Sequence, residues 1–438
     1  MKRLTIWLVA TAACICPATA RPATGARSVV VPRHRVGFLV FDKWNYLPAD
    51  GSETPSGAGA NKPAPTPGET SEEPPEGSKP LVTAVWYPAS KTSKRPFHEY
   101  AKGITGLATK GALLLPGDMN RPLIVFSHDF GGSGISAVYL MEYLAGCGYV
   151  VAAVDHNDRV SSLRITGPGE TDPKTVIRYR SGITRRGIKL NRKAYAYRRE
   201  EISAVIDKMI AESKDANSPL ANMIDPKRIG VLAHGLGGFT TMTMMGMPLE
   251  PPPEEPPEPR PDAPPPQPVE PEGPPEHLEK RIKAAVVYSP SVAMWAPVEY
   301  FDHLGPIMIM YGQKEERLRE QLPARAAYTY ECLLGPKWSV EFIRAHGMTF
   351  CNTATIRAAG LPSQARTVYA VHRMIGQYAT LMFDLHVRGR MSAASELTAA
   401  RAKKDATWVK SFKAEPKRIP RPAEPPPPPT PQYEQPKR

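Results

Sequence analysis

The chain has 438 residues, 50 of them proline, and a formal net charge of +13. That length allows one large domain or two ordinary ones. Proline well above the usual 5% or so is confined to clusters, which excludes a uniformly proline-rich fold and marks linkers. Much of the basic excess sits in a middle loop and the C-terminal tail, so it does not define the core as a binder of anionic polymers.

The chain opens "MKRLTIWLVATAACICPATARPATG". Lys2 and Arg3 give a charged start, Leu4 to Cys16 an apolar stretch, and Ala18-Thr19-Ala20 a small-residue cleavage site. This reads as a secretory signal peptide over 1–20, too short for a membrane span. A soluble mature chain, periplasmic or extracellular, is the expectation. Cleavage leaves Cys147, Cys332 and Cys351. An odd number allows one disulfide at most, so the fold must rest on an apolar core. The sequence has no CxxC, HExxH or other metal-ligand spacing.

A short strand region is predicted at 28–47, then a disordered linker over 48–80. Two more stretches read as disordered, the proline-rich insert 251–275 and the tail 413–438. None has enough apolar surface to offset the entropy of ordering. Plain spacers and docking sites for proline-recognising partners both fit them.

Between these stretches strand and helix alternate. "PLVTAVWYPA" (80–89) alternates like an edge strand, and "RPLIVFSH" (121–128) is a continuous apolar run, as in a strand buried on both faces. "SAVYLMEYLAGCG" (136–148) has helical spacing and "YVVAAVDH" (149–156) is another buried strand. "AYRREEISAVIDKMIAES" (196–213) is an amphipathic helix with Ile202, Val205, Ile206, Met209 and Ile210 on one face. "RIGVLAH" is a strand running into the helix "GGFTTMTMMGM". "IKAAVVYSP" (282–290) and "GPIMIMYG" (305–312) are buried strands, "SVEFIRAHG" (339–347) is a last short one, and 365–387 is a long terminal helix. The pattern predicts an α/β fold with a mostly parallel sheet flanked by helices, a domain over 81–410. Chemistry in such sheets collects beyond the carboxyl ends of the strands.

Six segments stand in one order: "VWYPA", "PLIVFSHDFGG", "YVVAAVDHNDR", "IDPKRIGVLAHGLGGFT", "IKAAVVYSP" and "AHGMTFCNT". They resemble the α/β-hydrolase superfamily, and more narrowly the platelet-activating-factor acetylhydrolase family with its bacterial esterase and dienelactone-hydrolase relatives. The resemblance implies acyl transfer through a serine, on short acyl esters of lipids or small alcohols, with no metal or organic cofactor. It also implies a sharp strand-to-helix turn presenting that serine.

Here the turn reads Ala233-His234-Gly235-Leu236-Gly237, so Gly235 takes the place of the nucleophile. Loss of a triad nucleophile costs about 10⁶-fold in the measured protease case. The resemblance places the oxyanion hole on the backbones of Phe130 and Leu236. The family's H-G there is His128-Asp129 in this chain, and a carboxylate at Asp129 would oppose an oxyanion if it points inward. His346 matches the catalytic base. The acid is open: the strand before "SP" is followed by Ser289 and Ser291, and Glu315 or Glu316 after the next strand could orient the histidine.

His234, Ser127, Ser133 and Asp155-His156 read as structural, although a surrogate nucleophile at Ser127 or Ser133 is conceivable. The basic stretch 178–200 reads as the charged face of a connector that could meet an anionic surface. Nucleic acid is not expected of an exported chain with no binding motif. Three functions follow: an impaired or non-catalytic esterase homologue that keeps a pocket for a small ester or lipid, an esterase in which His346 activates water, or an envelope scaffold working through its proline-rich segments.

Overall fold

The computed structural model describes residues 31–48, 77–91, 98–115, 120–161, 163–169, 192–249, 278–290, 300–313, 322–358, 361–420 and 422. Nine strands build the main sheet: β1 (Arg35–Phe41), β2 (Thr83–Ala89), β3 (Arg121–Ser127), β4 (Val150–Val154), β5 (Ile224–His234), β6 (Ile282–Tyr288), β7 (Ile307–Gly312), β8 (Lys337–Phe342) and β9 (Val409–Glu415). Their spatial order is 9-8-7-6-5-3-4-2-1, with a two-residue strand at Thr109–Lys110 on the β1 edge. Strands β3 to β8 run parallel. β2 is antiparallel to both β4 and β1, and β9 is antiparallel to β8.

The continuous apolar runs are central strands because each feeds two cores. Along β3, Ile124 and Phe126 face one cluster and Leu123 and Val125 the other. Helices α1 (Val138–Gly146) and α4 (Pro362–His386) cover the first face, where Leu140, Met141, Ile375 and Tyr378 are buried. Helices α2 (Tyr197–Lys214) and α3 (Leu236–Met244) cover the second, with Ile202, Val205, Ile206, Met209 and Met242 buried. Of the predicted stripe on α2, only Ile210 is merely half-buried. Among the described residues no helix is long and apolar enough to cross a membrane, and no disulfide forms.

The N-terminal strand region expected at 28–47 holds β1, which pairs with β2 over seven residues and so joins the main sheet. At the other end the folded unit runs past 410, where β9 pairs with β8 and closes the second edge. Its sequence, "VKSFKAE", is half charged and so reads as tail. Lysines on an edge strand discourage pairing with other chains, and Lys410 and Lys413 are tied to Glu341 and Glu331 at 2.9 Å each. The signal peptide, most of the linker, the insert 251–275 and the tail beyond 422 lie outside the described residues. The chain re-enters at the far end of α3, where the Glu279 N–H donates to the Met244 carbonyl at 3.0 Å.

Chain order decides what meets at the carboxyl edge. After β3 the chain crosses to β4 on one side, and β5 later returns to the other side of β3. In that parallel pair Ala233 stands beside Ser127. Two residues further on each strand, Gly235 and Asp129 therefore emerge together.

Candidate active site

Gly235 sits where the apolar strand β5 turns into α3, at φ 55° and ψ −116°. Side-chain-bearing residues rarely hold a positive φ, at a cost of about 1–3 kcal/mol, so the turn keeps a strained shape although it presents nothing. Gly237 serves a different need. A Cβ there would lie 2.2 Å from the Ser127 carbonyl oxygen, so only glycine lets α3 start this close to β3.

The space above Gly235 is taken. A Cβ built on Gly235 would fall 1.9 Å from Asp129 Oδ1 and 2.0 Å from its Cγ. The carboxylate thus stands where the side chain of a nucleophile would project. It is also anchored, for Asp129 Oδ1 accepts the Leu236 N–H at 2.7 Å. Leu236 is one of the two expected oxyanion donors, and its N–H points at a charge the protein already supplies. Phe130, the other, is half-buried, with its ring edge-on to Tyr195 at 6.5 Å.

Around this plug lie two histidines. His234 is buried, stacked on Tyr288 at 4.9 Å. Burial lowers its pKa, opposed in part by the Asp129 carboxylate and a hydrogen bond to the Gly347 backbone. That bond brings the His346–Gly347 turn beside the elbow. His346 follows β8 at the same sheet edge, is half-buried, and its Nδ1 accepts the Met348 N–H at 3.2 Å as a cap on the 3₁₀ turn Gly347–Phe350. A triad base instead donates Nδ1–H to its acid and keeps Nε2 open for the nucleophile's proton. Glu315, Glu316 and Ser291 lie outside the described residues.

Sequence reading missed a second constellation beneath the loop. Ser127 Oγ is 2.8 Å from His156 Nε2, and His156 Nδ1 is 2.7 Å from Glu201 Oε2. The connectivity is that of a serine triad, but all three residues are at 0% exposure, and α3 seals Ser127, whose Oγ would lie 2.7 Å from a Cβ on Gly237. Burial holds the His156 pKa well below the usual imidazole value and pushes Glu201 up to about 7. Their contact is a hydrogen bond to a neutral imidazole. The detectable signal was Glu201 itself, a carboxylate at i, i+4 from Val205 on an otherwise apolar stripe.

The same layer supports the loop that carries Asp129. Arg198 donates to the His128 carbonyl at 2.8 Å and pairs with Asp158 through two of its nitrogens. Burial opposes ionisation of Asp158, but the Arg198 guanidinium outweighs it and holds the carboxyl well below its usual range. Arg198 belongs to the stretch 178–200 expected to be a solvated charged face, and here it is fully buried. Its charge is matched by Asp158 from the loop after β4, a pairing the local sequence does not display. His128 Nδ1 donates to the Asp129 carbonyl at 2.7 Å, and His128 Nε2 accepts from His156 N at 3.2 Å. Asp155 accepts N–H groups from Gly134 at 2.7 Å and Ile165 at 2.6 Å, which fits its structural reading.

Residues 89–247 match the family described as platelet-activating factor acetylhydrolase, isoform II. The chain has an α/β-hydrolase fold and over that segment is similar to the platelet-activating factor acetylhydrolases. The match spans the Asp129 loop, the Ser127–His156–Glu201 layer and the Gly235 elbow. A solved ferulic acid esterase from Streptomyces cinnamoneus superposes with a TM-score of 0.50 at 20% identity, over 84% of this chain and 93% of that one. At that identity the likeness concerns the fold. No curated protein matches the chain. This acetylhydrolase-like chain is therefore a carboxyl-ester-hydrolase-like protein by family and fold, with a glycine at the elbow and a carboxylate above it.

Proposed function

We propose that this protein is an exported esterase homologue that has lost serine-type acyl transfer and keeps its crevice for binding a small ester or lipid. The observation that carries the reading is the Asp129 carboxylate, placed over Gly235 and hydrogen-bonded to the Leu236 N–H. Three requirements of acyl transfer fail there together. Gly235 offers no attacking oxygen. One oxyanion donor is engaged, and donors of this kind are worth about 10²–10³ in turnover. A fixed negative charge faces the position where a tetrahedral intermediate would build its own.

The route in which His346 activates water is disfavoured by the same geometry. The water would need the space beside Gly235 that Asp129 fills, and His346 Nδ1 is used as a cap. The test is hydrolysis of 4-nitrophenyl acetate by the purified mature protein. Turnover no higher than that of the His346→Ala variant is expected. Robust turnover abolished by His346→Ala would overturn the reading.

A further inference from the structure

At the sheet edge opposite the elbow the protein holds a cavity of about 280 Å³. Three segments wall it: residues 31–34 ahead of β1, Cys147 at the end of α1, and the end of α4 with the turn that follows it. The N-terminal wall is held in place by backbone, because Arg33 N and His34 N both donate to the Gly146 carbonyl, at 2.8 and 3.0 Å. Its size lies just below the range of small-molecule sites, roughly 300 Å³ and up, so a fragment-sized ligand fits.

The charge of the lining is one-sided once its pairings are followed. Arg33, Arg388 and Arg390 face Asp384 and Glu396. Both carboxylates already have cations: Asp384 binds Arg388 at 2.7 Å and accepts the Tyr149 hydroxyl at 2.6 Å, and Glu396 binds Arg401 at 2.8 Å. Arg388 has its guanidinium 3.7 Å over the Tyr149 ring and bonded to the Cys147 carbonyl at 3.0 Å. It therefore caps the end of α1 and contributes a fixed positive charge. Arg390 is different. Its side chain is 58% exposed and touches Asp384 only at 3.4 Å. Arg33 is likewise exposed and lines the same cavity. Guanidinium groups bind carboxylate and phosphate through paired N–H groups, and Leu381, Ala393 and Val31 add apolar surface to the same lining.

We propose that this cavity binds a small organic anion, with a carboxylate or phosphate head held between Arg33 and Arg390 and a short apolar body against Leu381 and Ala393. The site is independent of the crevice at Gly235. It gives the protein a ligand whether or not the ester pocket is used.

Calorimetric titration of the mature protein with benzoate, and separately with inorganic phosphate, at constant ionic strength tests this. A saturable one-site isotherm with at least one anion is expected. It should weaken at least tenfold in Arg33→Ala/Arg390→Ala and less in Arg33→Lys/Arg390→Lys, which keeps charge without the paired donors. Benzoate binding alone would assign a carboxylate head, and phosphate binding alone a phosphate head. Cys147 gives a second readout. Burial pushes its thiol up to about 12, so maleimide modification is slow, and bound anion should slow it further as read by peptide mass. No saturable heat with either anion, equal affinity in the double alanine variant, or unchanged Cys147 modification at saturation would each overturn the proposal. Equal melting temperatures of variant and wild type would make lost binding a lost site, and none of these readouts uses ester hydrolysis.

Discussion

Restoring the serine alone is expected to fail. In Gly235→Ser the new Cβ would stand 1.9 Å from Asp129 Oδ1, so the carboxylate must swing out and give up its 2.7 Å bond to Leu236 N. A hydrogen bond of this charged kind is worth about 1.5–3 kcal/mol, and a non-glycine residue in the strained elbow costs about 1–3 kcal/mol more. The sum, roughly 2.5–6 kcal/mol, should lower the melting temperature by about 2–4 °C for each kcal/mol. Pairing it with Asp129→Gly removes the carboxylate and frees the Leu236 N–H, but the hydrogen bond is lost and the elbow strained in both variants. The double variant should therefore melt close to the single one. It should also hydrolyse 4-nitrophenyl acetate about 10² times faster or more, the share set by a released oxyanion donor. Differential scanning calorimetry and initial rates at saturating ester measure both effects. A single Gly235→Ser variant as stable as wild type, or as active as the double variant, would refute the assignment of Asp129 to the nucleophile's place.

Other consequences concern the buried layer. Ser127→Ala should destabilise by about 1–3 kcal/mol, the cost of leaving His156 Nε2 without its partner, and an alkyl fluorophosphonate should leave Ser127 unlabelled; a Ser127 adduct in the peptide mass map would contradict its burial. Asp158→Asn leaves the Arg198 charge buried without its counter-ion and should cost about 3–5 kcal/mol in urea unfolding, and a loss within error of zero would deny that the pair holds the loop. Acidification should destabilise the fold. Burial holds His128, His156, His234, His303, His372 and His386 below the ordinary imidazole value of 6.5. The unfolded chain takes up those protons as pH falls below 6.5 and the folded chain does not, so stability present above that pH is lost below it. Burial raises Asp155 to about 6, Glu201 to about 7 and Glu142 in the same direction. These carboxyls act the opposite way but are fewer, since burial also lowers His98. The melting temperature should fall between pH 7 and pH 5, and a flat or rising profile would contradict the neutral buried histidines.

Sequence alone determined the sheet and the position of the elbow. Buried strands announce themselves as unbroken apolar runs, and the turn Ala233–Gly237 is local, so both are legible without distant contacts. The amphipathic stripe of α2 was legible for the same reason. The edge strand β9 was not, because its register depends on β8 about seventy residues away and half its side chains face water. Three matters belonged to the tertiary structure. Asp129 lies 107 residues from Leu236, and only the return of β5 beside β3 turns its carboxylate into a plug. Arg198 reads as surface charge until Asp158 meets it from the loop after β4, and Glu201 takes Asn157 and His156 as partners from the same loop. The basic cavity likewise draws its arginines from the two ends of the domain. A charge's local neighbours fix its propensity, but its burial and its partner depend on which strands the chain has laid side by side.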